Sequence, residues 1–339
     1  MRQTSKTCKR LLDVLRAQQG GFCSGAALAA DLGLSRTAIW KHVQSLKERG
    51  YPIISHPKQG YQLSAMPDLL LAVEVLPALE TRWLGKTYHY LPKIGSTNDH
   101  ALQLAAQGAP HGTVVVADEQ LAGRGRLGRP WLSVPQRGLY VSIVLRDNLP
   151  SRDAPQTTLI TALSLAEVIV AFYGLPARIK WPNDVLIRGK KVAGILTEMQ
   201  ADQDVVRFLV IGTGINVNHS PDELNASFRY PATSIAIERQ QITRRSELLL
   251  AFLNRFEGNY ERFRAEGLTP FLPDLERTSA VLGHPVTIQC GPEQITGTAL
   301  GLTAEGALRL GLESGQERVV WVGDITQGAG DFKETTASG

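Results

Sequence analysis

The stretch Gly123-Arg124-Gly125-Arg126-Leu127-Gly128-Arg129-Pro130-Trp131 decides the class of fold. Its glycines spell G-x-G-x-x-G shortly after the apolar run 113–117, which is the pattern of a dinucleotide-binding turn. That turn needs a helix whose N-terminus receives the pyrophosphate, but Pro130 and Pro135 interrupt any helix at this point. The sequence therefore argues against a Rossmann fold. A P-loop is excluded because no Gly-Lys-Ser/Thr follows.

The same stretch, which we call the arginine loop (residues 123–131), carries three arginines and ends in an aromatic residue. Guanidinium groups match carboxylate and phosphate oxygens, and glycine allows the backbone to approach a ligand closely. An RNA-binding arginine-glycine segment or a nuclear signal is the alternative, but this run is single, short and flanked by apolar strands. We expect the loop to close over an anionic group, with Trp131 offering a flat face to a ring.

Length and composition limit the class of protein. A chain of 339 residues is too long for one core, which predicts two or three domains. No uncharged apolar run approaches the roughly 18 residues of a membrane span, and 43% hydrophobic and 20% charged residues are ordinary for a soluble globular protein. Cys8, Cys23 and Cys290 are scattered and odd in number, which argues against a disulfide framework or a metal knuckle. These features predict a cytoplasmic protein with no membrane segment.

Positive charge is concentrated in the first sixth of the chain. Residues 1–66 contain ten basic and three acidic residues, whereas the remainder contains 26 basic and 29 acidic residues. Helical patterns at 9–18, at 24–32 and from Ser35 onward, followed by a basic hairpin over 51–63, predict a winged helix-turn-helix domain over 1–66. The residues predicted to contact DNA lie on the third helix and the hairpin tip: Ser35, Arg36, Thr37, Lys41, Gln44, Lys47 and Lys58. A protein-interaction module of the same shape is the alternative. Trp40 is either an interface residue or, in the interpretation that we favour, packs against the preceding helix.

The rest of the chain predicts two further domains. A linker begins at Met66-Pro67, and an α+β domain with a mixed sheet and helices on one face is predicted over 67–274. Its strand candidates are 86–93, 113–118, 138–146, 177–181, 191–199 and 205–217, and its helices are 96–107, 153–173 and 243–266. Short glycine-separated strands at 285–288, 295–299, 306–310 and 318–322 predict a small SH3-like β-barrel over 275–328. The polar residues 329–339 are predicted to be a disordered tail.

Several polar residues beside strands are candidates for chemistry, and each also has an ordinary structural explanation. Ser96-Thr97-Asn98 opens a helix, so these side chains either cap it or bind a small polar ring. Asp184 in Lys180-Trp181-Pro182-Asn183-Asp184 is either a turn residue or a contact for Mg²⁺ through water or phosphate oxygens. Lys191 begins an apolar strand and must find an anion or reach solvent. The run 212–216 places two close-approach glycines beside Asn216.

Taken together, these segments resemble the bifunctional biotin–protein ligases that also repress the biotin operon. The resemblance rests on GRGRxGRxW, KWPND, KxAGIL and GxGIN in order behind a winged helix, and it covers nearly the whole chain. It implies a class II synthetase-like catalytic domain. It further implies a biotin site of Ser96, Thr97, Asn98, Gln120, Arg124, Gly125, Arg126, Lys191 and Gly194, an ATP site of Trp131, Asn183 and Asn216, and catalysis by Lys191, Arg126 and Asp184, with Mg²⁺ near Asp184.

The implied activity is the conversion of biotin and ATP to biotinyl-5′-AMP and transfer of biotin to a lysine of a biotin carboxyl carrier protein. The adenylate-bound protein is expected to form a homodimer that binds operator DNA. Leu127 and Pro130 stand where some relatives have basic residues, which lowers the charge of the arginine loop. The alternatives are a lipoate-type acyl-protein ligase and a ligand-sensing transcription factor without ligase activity.

Overall fold

The computed structural model describes residues 6–65, 68–202, 205–225 and 231–328. The chain divides into two compact units, Met1–Pro77 and Ala78–Gly339. The start of the predicted linker, Met66-Pro67, and the predicted tail, 329–339, lie outside the described residues. The domain limits taken from the sequence stay predictions.

The first unit is a winged helix-turn-helix, as predicted. Its elements are α1 (Lys6–Ala17), α2 (Gly25–Leu32), α3 (Arg36–Glu48), β1 (Ile53–His56), β2 (Gly60–Leu63) and α4 (Ala72–Val75). Ser24 and Ser35 are the N-caps of α2 and α3, because each hydroxyl accepts a hydrogen bond from the backbone N–H three positions later in the chain. Leu12, Leu28, Ile39, Val43 and Leu46 belong to the buried core that joins the helices.

Helix α4 falls in the stretch that the sequence suggested was linker. Glu74 of this helix lies 2.5 Å from Arg16 of α1 and accepts a hydrogen bond from the Tyr51 hydroxyl. These contacts hold α4 against the winged helix. Four residues are too few to show a helical period, so this helix could not be recognised from the sequence.

The second unit is built on a seven-stranded mixed sheet. Its elements up to the end of the sheet are β3 (Tyr88–Leu91), α5 (Thr97–Ala106), β4 (Thr113–Ala117), β5 (Gly138–Leu145), α6 (Ala154–Tyr173), β6 (Ala177–Lys180), β7 (Asp184–Ile187), β8 (Lys190–Asp202) and β9 (Val205–Asn216). The strand order is β3-β4-β5-β9-β8-β7-β6, in which only β3 and β4 run parallel. The mixed sheet is therefore confirmed.

The expectation that helices cover one face of this sheet is wrong. Strand β5 is buried at every one of its eight positions, which requires cover on both faces. Thr158 of α6 contacts Thr197 of β8, whereas Asn98 of α5 donates to Glu198, the next residue of the same strand. Consecutive strand residues point to opposite faces, so α5 and α6 lie on opposite sides.

Four helices follow the sheet: α7 (Pro221–Asn225), α8 (Ile235–Arg239), α9 (Arg245–Glu266) and α10 (Leu272–Arg277). A five-stranded antiparallel sheet comes next, with β10 (Pro285–Cys290), β11 (Glu293–Leu302), β12 (Leu308–Gly311), β13 (Glu317–Val320) and β14 (Asp324–Gln327) in the order β13-β12-β11-β10-β14. The sequence predicted the first four strands and missed β14, which only Gly323 and two bend residues separate from β13.

Two further expectations concern helices. The arginine loop continues into a single 3₁₀ turn, Arg126–Gly128, and not into an α-helix, so exclusion of the dinucleotide fingerprint is confirmed. Within the described residues, the stretch Ser151–Tyr173 is long and apolar enough to cross a membrane, but 72% of its apolar window is buried inside the fold. Such burial is typical of a core helix.

Candidate active site and DNA-binding surface

A cavity of about 360 Å³ opens in the second unit between the start of α5, the arginine loop, the β6–β7 turn, the glycines of β8 and β9, and β14. Its wall contains every residue predicted to bind biotin or ATP or to act in catalysis, except Asn216: Ser96, Thr97, Asn98, Gln120, Arg124, Gly125, Arg126, Trp131, Asn183, Asp184, Lys191 and Gly194. The structure thus brings together residues spread over about a hundred positions of the chain. Their individual roles stay predictions.

The three polar residues at the start of α5 have distinct tasks. Ser96 is the helix cap, since its hydroxyl accepts the N–H of Asp99 at 3.4 Å. Thr97 instead donates its backbone N–H and its hydroxyl to Gln120 Oε1, at 2.8 and 3.0 Å. Asn98 is almost fully buried, and its Nδ2 donates to Glu198 Oε2 at 2.9 Å. Capping therefore accounts for Ser96, while Thr97 and Asn98 line the cavity with polar atoms.

Two glycines of β9 make room for the cavity wall. A Cβ atom on Gly212 would lie 2.1 Å from Asn98 Oδ1, and one on Gly214 would lie 2.5 Å from Trp131 Nε1. Both distances are far below van der Waals contact, so only glycine lets Asn98 and Trp131 lie against the strand. Gly194 of β8 is similarly tight, with 3.0 Å from its added Cβ to the Trp131 ring.

The arginine loop is closed on itself and pinned at both ends. Gly125 N–H donates to Arg129 O at 2.7 Å, and Trp131 N–H donates to Gly123 O at 2.8 Å. Arg124 contacts Asp99 at 2.5 Å and both carboxylate oxygens of Glu198 at 2.9 and 3.1 Å. The hydrogen bonds that Arg124 donates to Asp99 and Glu198 raise the pKa of its guanidinium above the ordinary value.

The other two arginines of the loop are held by the small C-terminal sheet. Asp324 of β14 lies 3.0 Å from Arg126 and 2.6 Å from Arg129. Arg126 also donates to Asn183 Oδ1 and to Gly323 O, each at 3.2 Å. These contacts hold Arg126 and Arg129 in the lining of the cavity, to which Asp324 of β14 also belongs. Strand β14 therefore supplies part of the site.

A lysine–aspartate pair and a second lysine complete the charged wall. Lys191 Nζ lies 2.6 Å from Asp184 Oδ1 and 5.3 Å from the centre of the Trp131 ring. Burial lowers the pKa of Lys180. The negative charge of Asp184 partly opposes this shift, and the positive charge of Lys191 adds to it. Cations outnumber carboxylates along this wall, which suits a ligand with phosphate or carboxylate groups.

Asn216 lies away from the cavity wall. It is fully buried in β9, and its Nδ2 donates to Thr233 O at 3.1 Å. Its Oδ1 has no hydrogen-bond donor among the described residues, and a buried acceptor in that state is costly. The assignment of Asn216 to the ATP site stays a prediction, and its open acceptor is suited to a ligand donor.

The donor set at Asp184 fits a magnesium ion that arrives with a nucleotide. The described residues contain no group of three or more His, Cys, Asp or Glu side chains placed to hold a metal. Mg²⁺ commonly uses one or two protein carboxylates and completes its shell with water and substrate phosphates. Asp184, as a carboxylate lining a cationic cavity, meets that requirement.

The predicted DNA-contact residues lie at the start and along the length of α3 and at the β1–β2 turn of the first unit. Ser35, Arg36, Thr37, Lys41 and Lys58 are exposed. Gln44 and Lys47 are half-buried, and Lys47 donates to Ser55 of β1 at 2.9 Å. The exposed basic side chains are placed to meet a polyanion, while Lys47 is partly engaged within the unit.

Trp40 does not pack as the sequence interpretation supposed. Its side chain on α3 is 53% exposed. The helix period explains this position, because the buried residues Ile39, Val43 and Leu46 already fill the core-facing stripe.

Comparison with known proteins agrees with this architecture. Family models match residues 90–216 (biotin/lipoate A/B protein ligase family), 9–62 (HTH domain) and 281–326 (biotin protein ligase C-terminal domain). The bifunctional ligase/repressor BirA of Bacillus subtilis is 36% identical over 94% of this chain and 98% of its own length. That of Escherichia coli is 33% identical over 86% of this chain and 88% of its own length.

The chain belongs to the bifunctional biotin ligase/repressor family. Among solved structures, the biotin protein ligase of Aquifex aeolicus in complex with biotin and ATP is similar, with a TM-score of 0.60 and 33% identity over 71% of this chain and 98% of that one. Membership of the family confirms the fold class predicted from the motifs.

Lys180, Glu198 and Asp324, three charged residues of the site, were not singled out from the sequence. Lys180 had a usable signal, because it stands in the KWPND motif at the end of a strand. Glu198 and Asp324 had none, since one is an isolated acid in a strand and the other lies about 200 positions beyond the arginines that it contacts. Only the folded chain brings these carboxylates to the loop.

The close approach of Asn98 to Gly212 can be tested without a ligand. Gly212→Ala places a Cβ against Asn98, so we expect the free energy of unfolding to fall by about 1–3 kcal/mol, as in other overpacked sites. Gly258 is exposed on α9, and no atom lies within 4 Å of a Cβ added there. Gly258→Ala should therefore raise the free energy of unfolding by roughly 0.5–1 kcal/mol. Urea unfolding measures both. Equal effects in the two variants would show that Gly212 is not needed for close approach.

Proposed function

We propose that this protein activates biotin with ATP, forms biotinyl-5′-AMP and transfers biotin to a lysine of a biotin carboxyl carrier protein. We also propose that it represses transcription of biotin synthesis genes. The observation that carries the ligase proposal is one cavity with a neutral polar end around Thr97 and Asn98 and a cationic end around Arg126 and Lys191. Biotin is itself a polar ring joined by an apolar chain to a carboxylate, so its two ends match the two ends of the cavity.

The polar end is suited to the ureido ring. Thr97, Gln120 and Ser142 offer hydroxyl and amide groups within one hydrogen-bonded cluster. A ureido group presents one acceptor and two donors, which such a cluster can satisfy when water is excluded. Asn98 supplies a further buried polar group beside it.

In the first step a carboxylate oxygen of biotin forms a bond to the α-phosphorus of ATP while the bond to pyrophosphate breaks. Two anions must approach each other, so their repulsion is the main obstacle. Lys191 and Arg126 are already fixed by Asp184 and Asp324, and therefore can offset this charge without reorganising. Mg²⁺ beside Asp184 would neutralise the pyrophosphate as it leaves.

In the second step the ε-amine of the acceptor lysine attacks the acyl carbon, an amide bond forms and AMP leaves. The adenylate is a mixed anhydride that water would hydrolyse. The arginine loop, tied to β14 through Asp324, covers this part of the cavity and limits the access of water. The mechanism uses no Ser, Cys or His nucleophile.

Repression depends on the first unit. The exposed face of α3 presents Arg36, Thr37 and Lys41 toward the major groove, and Lys58 at the hairpin turn is placed for the phosphate backbone. The adenylate-bound protein forms a homodimer whose two-fold symmetry matches paired half-sites of an operator. The protein acts in the cytoplasm, where ATP, the carrier protein and DNA are all available.

Lys191 provides a test of the first step. Lys191→Ala should lower biotin-dependent exchange of labelled pyrophosphate into ATP by about 10²–10³-fold, because one fixed cation is lost from the transition state. Lys190→Ala is the matched control, since Lys190 is the exposed neighbour and does not line the cavity. A panel of biotin, lipoate and octanoate separates the biotin ligase from a lipoate-type enzyme. Exchange within a few-fold of the normal rate would remove Lys191 from the mechanism.

Arg126 tests closure of the loop. Arg126→Gly deletes the contacts to Asp324 and Asn183, so the adenylate should leave the protein faster than it is consumed. Rapid gel filtration after incubation with labelled biotin and ATP measures the retained fraction. Arg152→Gly, at a side chain that is 86% exposed, serves as control. Equal retention in the Arg126 variant and the unmodified protein would count against a covering role.

The repressor proposal predicts ligand-dependent binding of DNA. In gel-shift titrations with DNA from upstream of biotin synthesis genes, biotin plus ATP should tighten binding, and Lys41→Ala should reduce the salt slope by about 1. Lys86→Ala, an exposed lysine of the second unit, should change neither. An affinity that does not respond to biotin plus ATP would contradict the regulatory role.

A further inference from the structure

A line of close polar contacts runs from the polar end of the cavity to the arginine loop. It begins at Gln120, whose Oε1 accepts from Thr97. Ser142 Oγ lies 2.9 Å from Thr97 Oγ1 and 2.6 Å from Asn98 Oδ1. Asn98 Nδ2 then donates to Glu198 at 2.9 Å, and Arg124 donates to the same carboxylate.

Glu198 is the residue that decides the direction of these bonds. An ionised carboxylate only accepts, so the amide of Asn98 must turn its NH₂ group toward Glu198. The carbonyl oxygen of Asn98 is thereby fixed toward Ser142, which must donate its single proton there, at the shorter of its two contacts. Ser142 then has no proton left for Thr97, whose hydroxyl donates to Gln120 Oε1. One charge on β8 thus sets the orientation of the Asn98 amide and of the Ser142 hydroxyl.

The same carboxylate holds the loop. Both oxygens of Glu198 accept from Arg124 Nη2, and Asp99, next to Asn98 on α5, accepts from Nη1 at 2.5 Å. Charge-assisted bonds of this kind are stronger than neutral ones, and Glu198 is only partly exposed. The position of the arginine loop and the orientation of the Asn98 amide therefore both depend on the Glu198 carboxylate.

We propose that Glu198 is a positioning residue that couples the ring-binding end of the cavity to closure of the arginine loop. Glu198 does not line the cavity in which the reacting carboxylate would bind. It acts through its contacts with Asn98 and Arg124. The consequence for biotin rests on the proposed function, whereas the tether on the loop is a property of the ligand-free protein.

Glu198→Gln is the informative change, because it keeps size and shape but removes the charge. Glutamine can donate or accept, so Asn98 is free to turn over, and Arg124 loses its ionic partner. Glu293→Gln is the matched control, since it removes the carboxylate from a comparable bidentate pair with Arg318 in the C-terminal sheet, outside the cavity. Thermal unfolding verifies that both variants fold.

The first measurement uses the ligand-free protein. Trypsin cleaves after arginine, and mass spectrometry gives the rate of cleavage after Arg124 and Arg126 relative to the other sites. Glu198→Gln should accelerate cleavage in the loop by about tenfold, the effect of losing one charge-assisted bond. Glu293→Gln should not change it. Unaltered loop cleavage in Glu198→Gln overturns the proposal, whatever the substrate is.

The second measurement is biotin binding by calorimetry together with exchange kinetics. Glu198→Gln should weaken binding about tenfold, and KM for biotin should rise by a larger factor than kcat falls. Adding Arg124→Gln should weaken binding less than the product of the two single effects, because both act through one contact. Faster loop cleavage with normal biotin affinity, or fully additive effects, overturns the coupling. A wild-type protein that binds no biotin refutes the proposed function instead, and the tryptic rates then decide the tether.

Discussion

The site depends on the absence of two side chains from β9, a largely buried strand. Gly212 and Gly214 face the cavity from β9, and an added Cβ at either position would collide with Asn98 or Trp131. Their neighbour β5 is covered on both faces, so the sheet has no freedom to bend away and create room elsewhere. The polar end and the aromatic wall of the cavity are therefore located by backbone geometry, and the charged groups are arranged around them.

The charged groups share one design: Arg124, Arg126, Arg129 and Lys191 line the cavity, and each is held by a carboxylate. Lys191 is held by Asp184, Arg126 and Arg129 are held by Asp324, and the pairs are partly buried. Isolated charges in such surroundings would be costly, and paired ones are fixed in place. An arriving polyanion then meets cations that are already oriented, which is the condition for electrostatic catalysis without reorganisation.

Much of this arrangement could be predicted from sequence. The motifs follow strands or begin helices, so residues such as Thr97, Asp184 and Lys191 meet at one cavity once the strands pair. The long helices and the buried strands also had clear periodicity. The exposure of Trp40 could have been inferred from the helical period of Ile39, Val43 and Leu46. Contacts that depend on tertiary packing could not be predicted: the position of α5 opposite α6, and the short strand β14 with Asp324. Neither of these leaves a local pattern in the chain.

The anchoring of the arginine loop by β14 also has a consequence for biogenesis. Arg126 lies 197 positions before Gly323, and the contacts of Arg126 and Arg129 with Asp324 join similarly distant parts of the chain. A nascent polypeptide on the ribosome cannot make these contacts until β14 has emerged and paired with β10. Molecules that are truncated, or whose small sheet has melted, keep the motifs but lose the loop anchor. Anchoring of the arginine loop is thus one of the last steps in the folding of the second unit.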